Sequence, residues 1–198
     1  MKNKVLIGFA AIAMVVILAS CGKVPQAQID ATNAAIEAAK AAEANVYLPA
    51  EFAAVQDSMN AVMAEVETQQ GKLFKKFGDV KTKLDAVTAQ ANQVAAGVAA
   101  KEAEVRKEAE SLLNGIKAVI EENNKLVPKL PRGKEGAAVI EQIKADLANV
   151  GAAVTEAQGA FDKGAFMDAL NKIKAAKAKA DGLNAEIKEA LTKARIKF

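Results

Sequence analysis

The sequence predicts an all-α fold of elongated antiparallel helical hairpins, a coiled-coil-like bundle of about five helices, and three observations lead there. The composition is dominated by alanine, lysine and glutamate, the strongest intrinsic helix formers, while the aromatic residues that favour sheets amount to 4% of the chain. Apolar residues recur at steps of three and four over long stretches, the period of a helix face. The breakers are few, with 4 prolines and 12 glycines, and the prolines with Gly71, Gly78, Gly133 and Gly164 fall between those stretches. Alanine at the seams lets helices approach closely but buries little area per residue, so the expected hairpins are slender.

The first element is not part of that bundle. Lys2 and Lys4 form a basic start, Val5 to Leu18 is an uninterrupted apolar run, and small Ala19 and Ser20 lead to Cys21. A membrane-spanning helix needs about 20 apolar residues, which the run lacks, whereas a secretory signal needs about this length. Leu18-Ala19-Ser20-Cys21, so placed, resembles the lipobox of bacterial lipoproteins. The resemblance covers residues 1–21. It implies cleavage after residue 20, a diacylglyceryl thioether on Cys21, usually an acylated amino terminus, and so a membrane partner reached through several acyl chains. Gly22 follows the cysteine where, in lipoproteins of enterobacterial type, Asp would favour the inner membrane, so the same resemblance implies an outer-membrane anchor facing the periplasm.

After a tether at 21–26, residues 27–45 read as an alanine-rich helix with a poorly defined buried face, Ile29 and Ile36 being its largest apolar members. Val46-Tyr47-Leu48-Pro49-Ala50-Glu51-Phe52 breaks it: proline disfavours helix at the preceding residue and suits the first turn of a new one, where Glu51 meets the helix dipole. Tyr47 and Phe52 are read as plugging that corner, with a hinge or docking contact as the sharper alternative. The next helix carries Phe52, Val55, Met59, Val62, Met63 and Val66, a stripe better explained as core than as an adaptable methionine groove. It ends over 70–78, where Phe74 and Phe77 flank Lys75-Lys76 and Gly78-Asp79 supplies a stop and a new start.

The longest helix is expected over about 80–122. Val80, Leu84, Val87, Ala91, Val94 and Val98 alternate steps of four and three, and the stripe resumes at Val105, Ala109, Leu112, Ile116 and Val119 after a stutter at 101–109. Asn123 to Lys134, with Pro128, Pro131 and Gly133, reads as a linker. Gly133-Lys134 is not a phosphate loop, since it lacks the earlier glycine, the following Ser or Thr and a preceding strand. Ile140, Ile143, Leu147, Val150, Val154, Ala157 and Phe161 then form a stripe that Gly164 ends, and Phe166, Ala169, Ile173, Ala176, Ala180, Leu183, Ile187, Ala190 and Ala194 form another. A short turn between two long stripes means an antiparallel hairpin.

The hairpin recurs at an offset of 89 residues, which lays Phe77 and Asp79 on Phe166 and Asp168 at the start of a helix in both copies. The turn from Ala160 to Leu170 resembles that of tetratricopeptide-like helix pairs, in which an aromatic after the turn and an alanine three residues on pack the two helices. These helices are about twice the family's length, so its concave peptide groove does not carry over. The expected organisation is a signal peptide at 1–20, a lipidated tether at 21–26, a first hairpin region at 27–125, a linker at 126–134 and a second hairpin at 135–198.

Chemistry is excluded more than it is indicated. The chain has no histidine, hence no ready general base near neutrality and no imidazole ligand, and its single cysteine is Cys21. Glu102, Glu104, Glu108 and Glu110 alternate with Lys101, Arg106 and Lys107 and read as solvated helix partners, not a catalytic pair. Cleavage removes two of the 27 basic side chains and none of the 24 acidic ones, leaving a near-neutral chain with no reason to bind nucleic acid. The lysines of the last helix are interspersed with Asp181, Glu186 and Glu189 and read as a solvated face before a lipid-binding one.

The functional expectation is a non-enzymatic, lipid-anchored envelope scaffold or adaptor without metal or cofactor, working through a protein partner or its own copies. The alternative is a periplasmic carrier or chaperone-like module that holds a peptide or apolar ligand between hairpins. The second helix is too short to cover all of the third, so Val105, Leu112, Ile116, Val119 and Ile120 form a stripe that needs a cover. It is offered either to the first helix or the second hairpin folding back, or to a second copy or another envelope protein.

Overall fold

The computed structural model of the chain describes residues 22–133 and 136–198, and among them every regular element is helical. In order these are α1 (Gln26–Ala41), the single-turn α2 (Ala44–Tyr47), α3 (Pro49–Gln70), α4 (Gly78–Leu126, 49 residues), a 3-10 turn (Val127–Lys129), α5 (Gly136–Asp162) and α6 (Phe166–Lys193). The segment expected to be a signal peptide, the expected lipidation site Cys21, and Lys134 and Glu135 lie outside the described residues.

The chain divides into two compact units, but not at the proline-rich segment. The first comprises residues 22–38 with Ala53–Asn92, the second Ala39–Phe52 with Gln93–Phe198, and the division falls inside α4. Over its described residues, 126–133, the expected linker is instead a turn of the second unit, because apolar side chains beside its prolines are packed: Leu126, Val127 and Leu130 are all buried. Proline stops the helix there without freeing the chain.

In the first unit three helices run up, down and up. Gln28 Nε2 donates to Asp85 Oδ1 at 2.9 Å and Thr32 Oγ1 lies 2.9 Å from Thr88 Oγ1, so α1 runs parallel to the start of α4. Lys83 pairs with Glu65, which sets α3 antiparallel to α4. The ill-defined face of α1 is closed by its two isoleucines with smaller residues between them: Ile29, Thr32, Ala35 and Ile36 are buried. From α3 come Val55, Met59, Val62 and Val66, and from α4 the expected Val80, Leu84, Val87 and Ala91.

The second unit repeats the scheme with the remainder of α4 as its first helix. Glu108 pairs with Lys174 at 2.7 Å and Glu122 with Lys188 at 2.8 Å, so this part of α4 runs parallel to α6. Lys179 donates to Asp146 at 2.6 Å across the antiparallel α5–α6 hairpin. Gly164, with φ of 81°, makes the hairpin turn in a conformation that costs other residues a Cβ clash. Leu191 closes the end of α6 where Ala190 and Ala194 were expected, since a leucine reaches a core that alanine does not.

Two local breaks differ from expectation. The first helix ends at Ala41, before the predicted 45, through a turn at Glu43, a non-glycine residue with φ of 65°. The α4 stripe takes its two consecutive steps of four at Val105, Ala109 and Leu113, one turn beyond the predicted place, so Leu113 is buried and Leu112 is not fully so.

Thr32 and Asn123 are the buried polar residues of the described chain, and they make similar bridges, Thr32 from α1 to α4 and Asn123 from α4 to α6. Thr32 Oγ1 lies 2.8 Å from the Gln28 carbonyl, 2.9 Å from Thr88 Oγ1 and 3.4 Å from the Leu84 carbonyl. Asn123 Nδ2 donates to the Ala180 carbonyl at 2.9 Å, and its Oδ1 accepts from Asn184 Nδ2 at 2.7 Å. In both units the bridge reaches a carbonyl of the third helix and the side chain four residues further along. No buried side-chain polar atom of the described residues lacks a partner, as a well-formed core requires.

Candidate functional site

The stripe expected to await a cover is already inside the second unit. Val105 is 3% exposed and Ile116 0%, while Leu112, Val119 and Ile120 are half-buried at its margin. The structure therefore does not offer these five residues as an open contact strip. Parallel α6 lies along this part of α4, as the Glu108–Lys174, Asn123–Ala180 and Glu122–Lys188 contacts record, and supplies the cover that the sequence left between two alternatives. Tyr47 and Phe52, read as corner plugs, are buried.

Among the described residues of this unit, a groove of about 400 Å³ lies along α4, with the first residue of α6 at one side. Ala99 and Ala103 leave room because they carry only a methyl group, and Phe166 supplies the apolar wall. Glu102, Arg106, Lys107 and Glu110 complete the lining. The α5–α6 turn positions Phe166: the left-handed Gly164 reverses the chain, and Phe161 and Phe166 meet edge to face with centroids 5.2 Å apart. The Arg106 guanidinium lies 5.5 Å from the centroid of the Phe166 ring, within cation–π range.

This lining is amphipathic and charged with both signs, fit for a peptide-like or mixed ligand. Glu102 and Glu110 are eight residues apart on one helix, roughly 12 Å along its axis. That exceeds the separation at which two carboxylates share acid–base work on one bond, about 5–9.5 Å. Nearby, the Tyr47 phenol is pushed above its ordinary value, first by burial and then by the Glu102 and Glu43 carboxylates, and so stays neutral. Among the described residues no group of three or more His, Cys, Asp or Glu is arranged to hold a metal ion, and no helix is long and apolar enough to cross a membrane.

Sequence reasoning misses two surface features. The Arg106–Phe166 stack joins residues sixty positions apart, and no local pattern announces such a pair. Leu73 and Phe74, exposed at 91% and 80%, have a visible signal in a glycine-bounded loop rich in lysine, but the pattern alone gives Phe74 only the end of a helix. Compared with family models, with curated proteins and with solved structures, the chain matches none.

Proposed function

We propose that this chain is a lipid-anchored protein of the bacterial cell envelope, a non-enzymatic helical scaffold or adaptor held to the outer membrane through Cys21 and facing the periplasm. The observation that carries the reading is Leu18-Ala19-Ser20-Cys21 behind a basic start and an apolar run too short to span a bilayer. Gly22 in place of Asp supports the outer membrane as destination. The adaptor part is supported by the absence of histidine from the sequence and by large apolar side chains left accessible at Leu73 and Phe74 for contact. Labelled palmitate should enter the wild-type protein in cells and not Cys21→Ser, and fractionation should move the variant out of the outer membrane. Unchanged labelling and fractionation would sink the anchor. Sedimentation of the protein in detergent, with crosslinking from intact envelopes, tests the adaptor role; a strict monomer without crosslinked protein contradicts it.

The carrier reading has one observation in its favour, the groove between Arg106 and Phe166. If it holds an apolar or peptide ligand, an apolar dye binds the protein and Phe166→Ser abolishes that binding. A dye signal indifferent to Phe166 removes the carrier from consideration.

A further inference from the structure

The loop between α3 and α4 shows an inversion that packing alone does not explain. In Gly71-Lys72-Leu73-Phe74-Lys75-Lys76-Phe77 the last phenylalanine is 2% exposed and closes the core, while Leu73 and Phe74 point into solvent. The loop is anchored on both sides, by buried Phe77 and by the Gln69 side chain, which accepts from the Lys76 backbone N–H at 3.4 Å. Two large apolar side chains are thus presented on an ordered turn. Around them stand Lys72, Lys75 and Lys76, with no acidic residue between Glu67 and Asp79.

The position of this loop matters as much as its composition. Because α1 runs parallel to α4 with Gln28 beside Asp85, stepping back along both leads to one end of the first unit. Seven residues separate Asp85 from the start of α4 at Gly78, a rise of roughly 10 Å, and six separate Gln28 from Gly22. Gly22, bonded directly to Cys21, therefore emerges at the end that carries Leu73 and Phe74, and Lys23 is exposed beside it.

We infer that the Lys72–Lys76 loop is a second membrane contact, which dips Leu73 and Phe74 into the interface of the bilayer holding the lipid anchor while its lysines meet anionic phospholipid head groups. The inference rests on the anchored reading for its geometry. Its chemistry is the pairing of an apolar tip with basic flanks that interfacial binding requires: the tip leaves water, the lysine stems lie along the acyl boundary, and their ammonium groups stay at the phosphates. Each lysine near an anionic surface contributes about fivefold in partitioning, so three act together by about two orders of magnitude.

The chain has no tryptophan, so Phe74→Trp introduces a unique reporter. The whole chain carrying it is reconstituted into vesicles containing phosphatidylglycerol. Emission should shift to the blue and be quenched by lipids brominated near the top of the acyl chain. Both effects should diminish in phosphatidylcholine alone and when Lys72, Lys75 and Lys76 are all changed to Gln. Ala54→Trp, at an exposed site of the same unit near the start of α3 and roughly 24 Å along that helix from the loop, should show neither. An indole at position 74 that stays in water on phosphatidylglycerol overturns the inference and leaves the loop to a protein partner; so does an equal shift at position 54. The anchor is read separately from the mass of the Cys21 peptide. Absent acylation defeats that reading, while the emission from position 74 still decides the loop.

Discussion

Asn123 gives the sharpest test of how the second unit is held in register. Asn123→Ala removes the bond to the Ala180 carbonyl and the one from Asn184, at about 1 kcal/mol each, and adds a small void. The partners limit the damage. The Ala180 carbonyl lies inside α6, and Asn184 is half-buried and can turn to water, so neither is left fully orphaned. The expected loss is about 2–3 kcal/mol, or roughly 4–12 °C in the midpoint. Tyr47, the only tyrosine, belongs to the second unit, so its fluorescence follows that unit while far-ultraviolet circular dichroism follows the whole chain. Asn123→Leu should recover most of the stability but lose selectivity of register, because stripes that repeat every seven residues tolerate a slip unless a buried amide forbids it. Amide exchange in α6 should then quicken with little change in midpoint. A loss below about 0.5 kcal/mol for Asn123→Ala would refute the claim that this amide bridges α4 and α6.

Other perturbations follow from the same geometry. Ile116→Glu places a charge at a fully buried seam position and should cost about 4 kcal/mol or more by thermal denaturation, whereas Leu112→Glu, at the margin, should cost clearly less; equal costs would mean that the seam is misassigned. The Glu122 carboxyl is held below its ordinary 4.5 mainly by the hydrogen bond from Lys188, and Asp146 is held below 3.8 by Lys179 and Gln142. Because the folded values are depressed, their contribution is present above the unfolded values and fades as pH falls through the folded ones. Asp146→Asn with Glu122→Gln should therefore flatten the acid limb of a pH–midpoint curve below about 4.5, weakly, since Glu122 is exposed and Asp146 only half-buried. Glu43→Gly should stabilise by up to about 1 kcal/mol in urea titration, as the left-handed conformation no longer meets a Cβ. Gly164→Ala should destabilise by a similar amount for the converse reason.

Much of the fold was legible because period and burial coincide. The stripe from Val80 to Val98 and those of α5 and α6 are core residues nearly as read, since one face of a long helix has a single way to meet two neighbours. The turn at Ala42–Glu43 was not legible: no glycine or proline marks it, and a glutamate in a left-handed conformation is imposed by tertiary packing. Nor was the place of the division. Pro128 and Pro131 announce a break in helix, but whether a break separates units depends on what its neighbours bury, and Leu126, Val127 and Leu130 tie it in. The expected lipobox, Leu18 to Cys21, lies outside the described residues. Phe74 and Phe77 illustrate the remaining gap, because three residues apart in a loop the same side chain faces solvent once and the core once.

The buried alanines have a thermal consequence. Ala39, Ala44, Ala91, Ala109, Ala157, Ala169 and Ala180 are shielded from water, yet each withdraws only a methyl group from it. Heat capacity on unfolding follows the apolar area newly hydrated, typically about 12–15 cal/mol/K per residue, and a core with so many alanines should fall toward the low end of that range, which calorimetry would read. A smaller heat-capacity change flattens the dome of stability against temperature. Such a protein gains little at its optimum but gives up little on either side of it, so its helices should hold through chilling as evenly as through moderate warming.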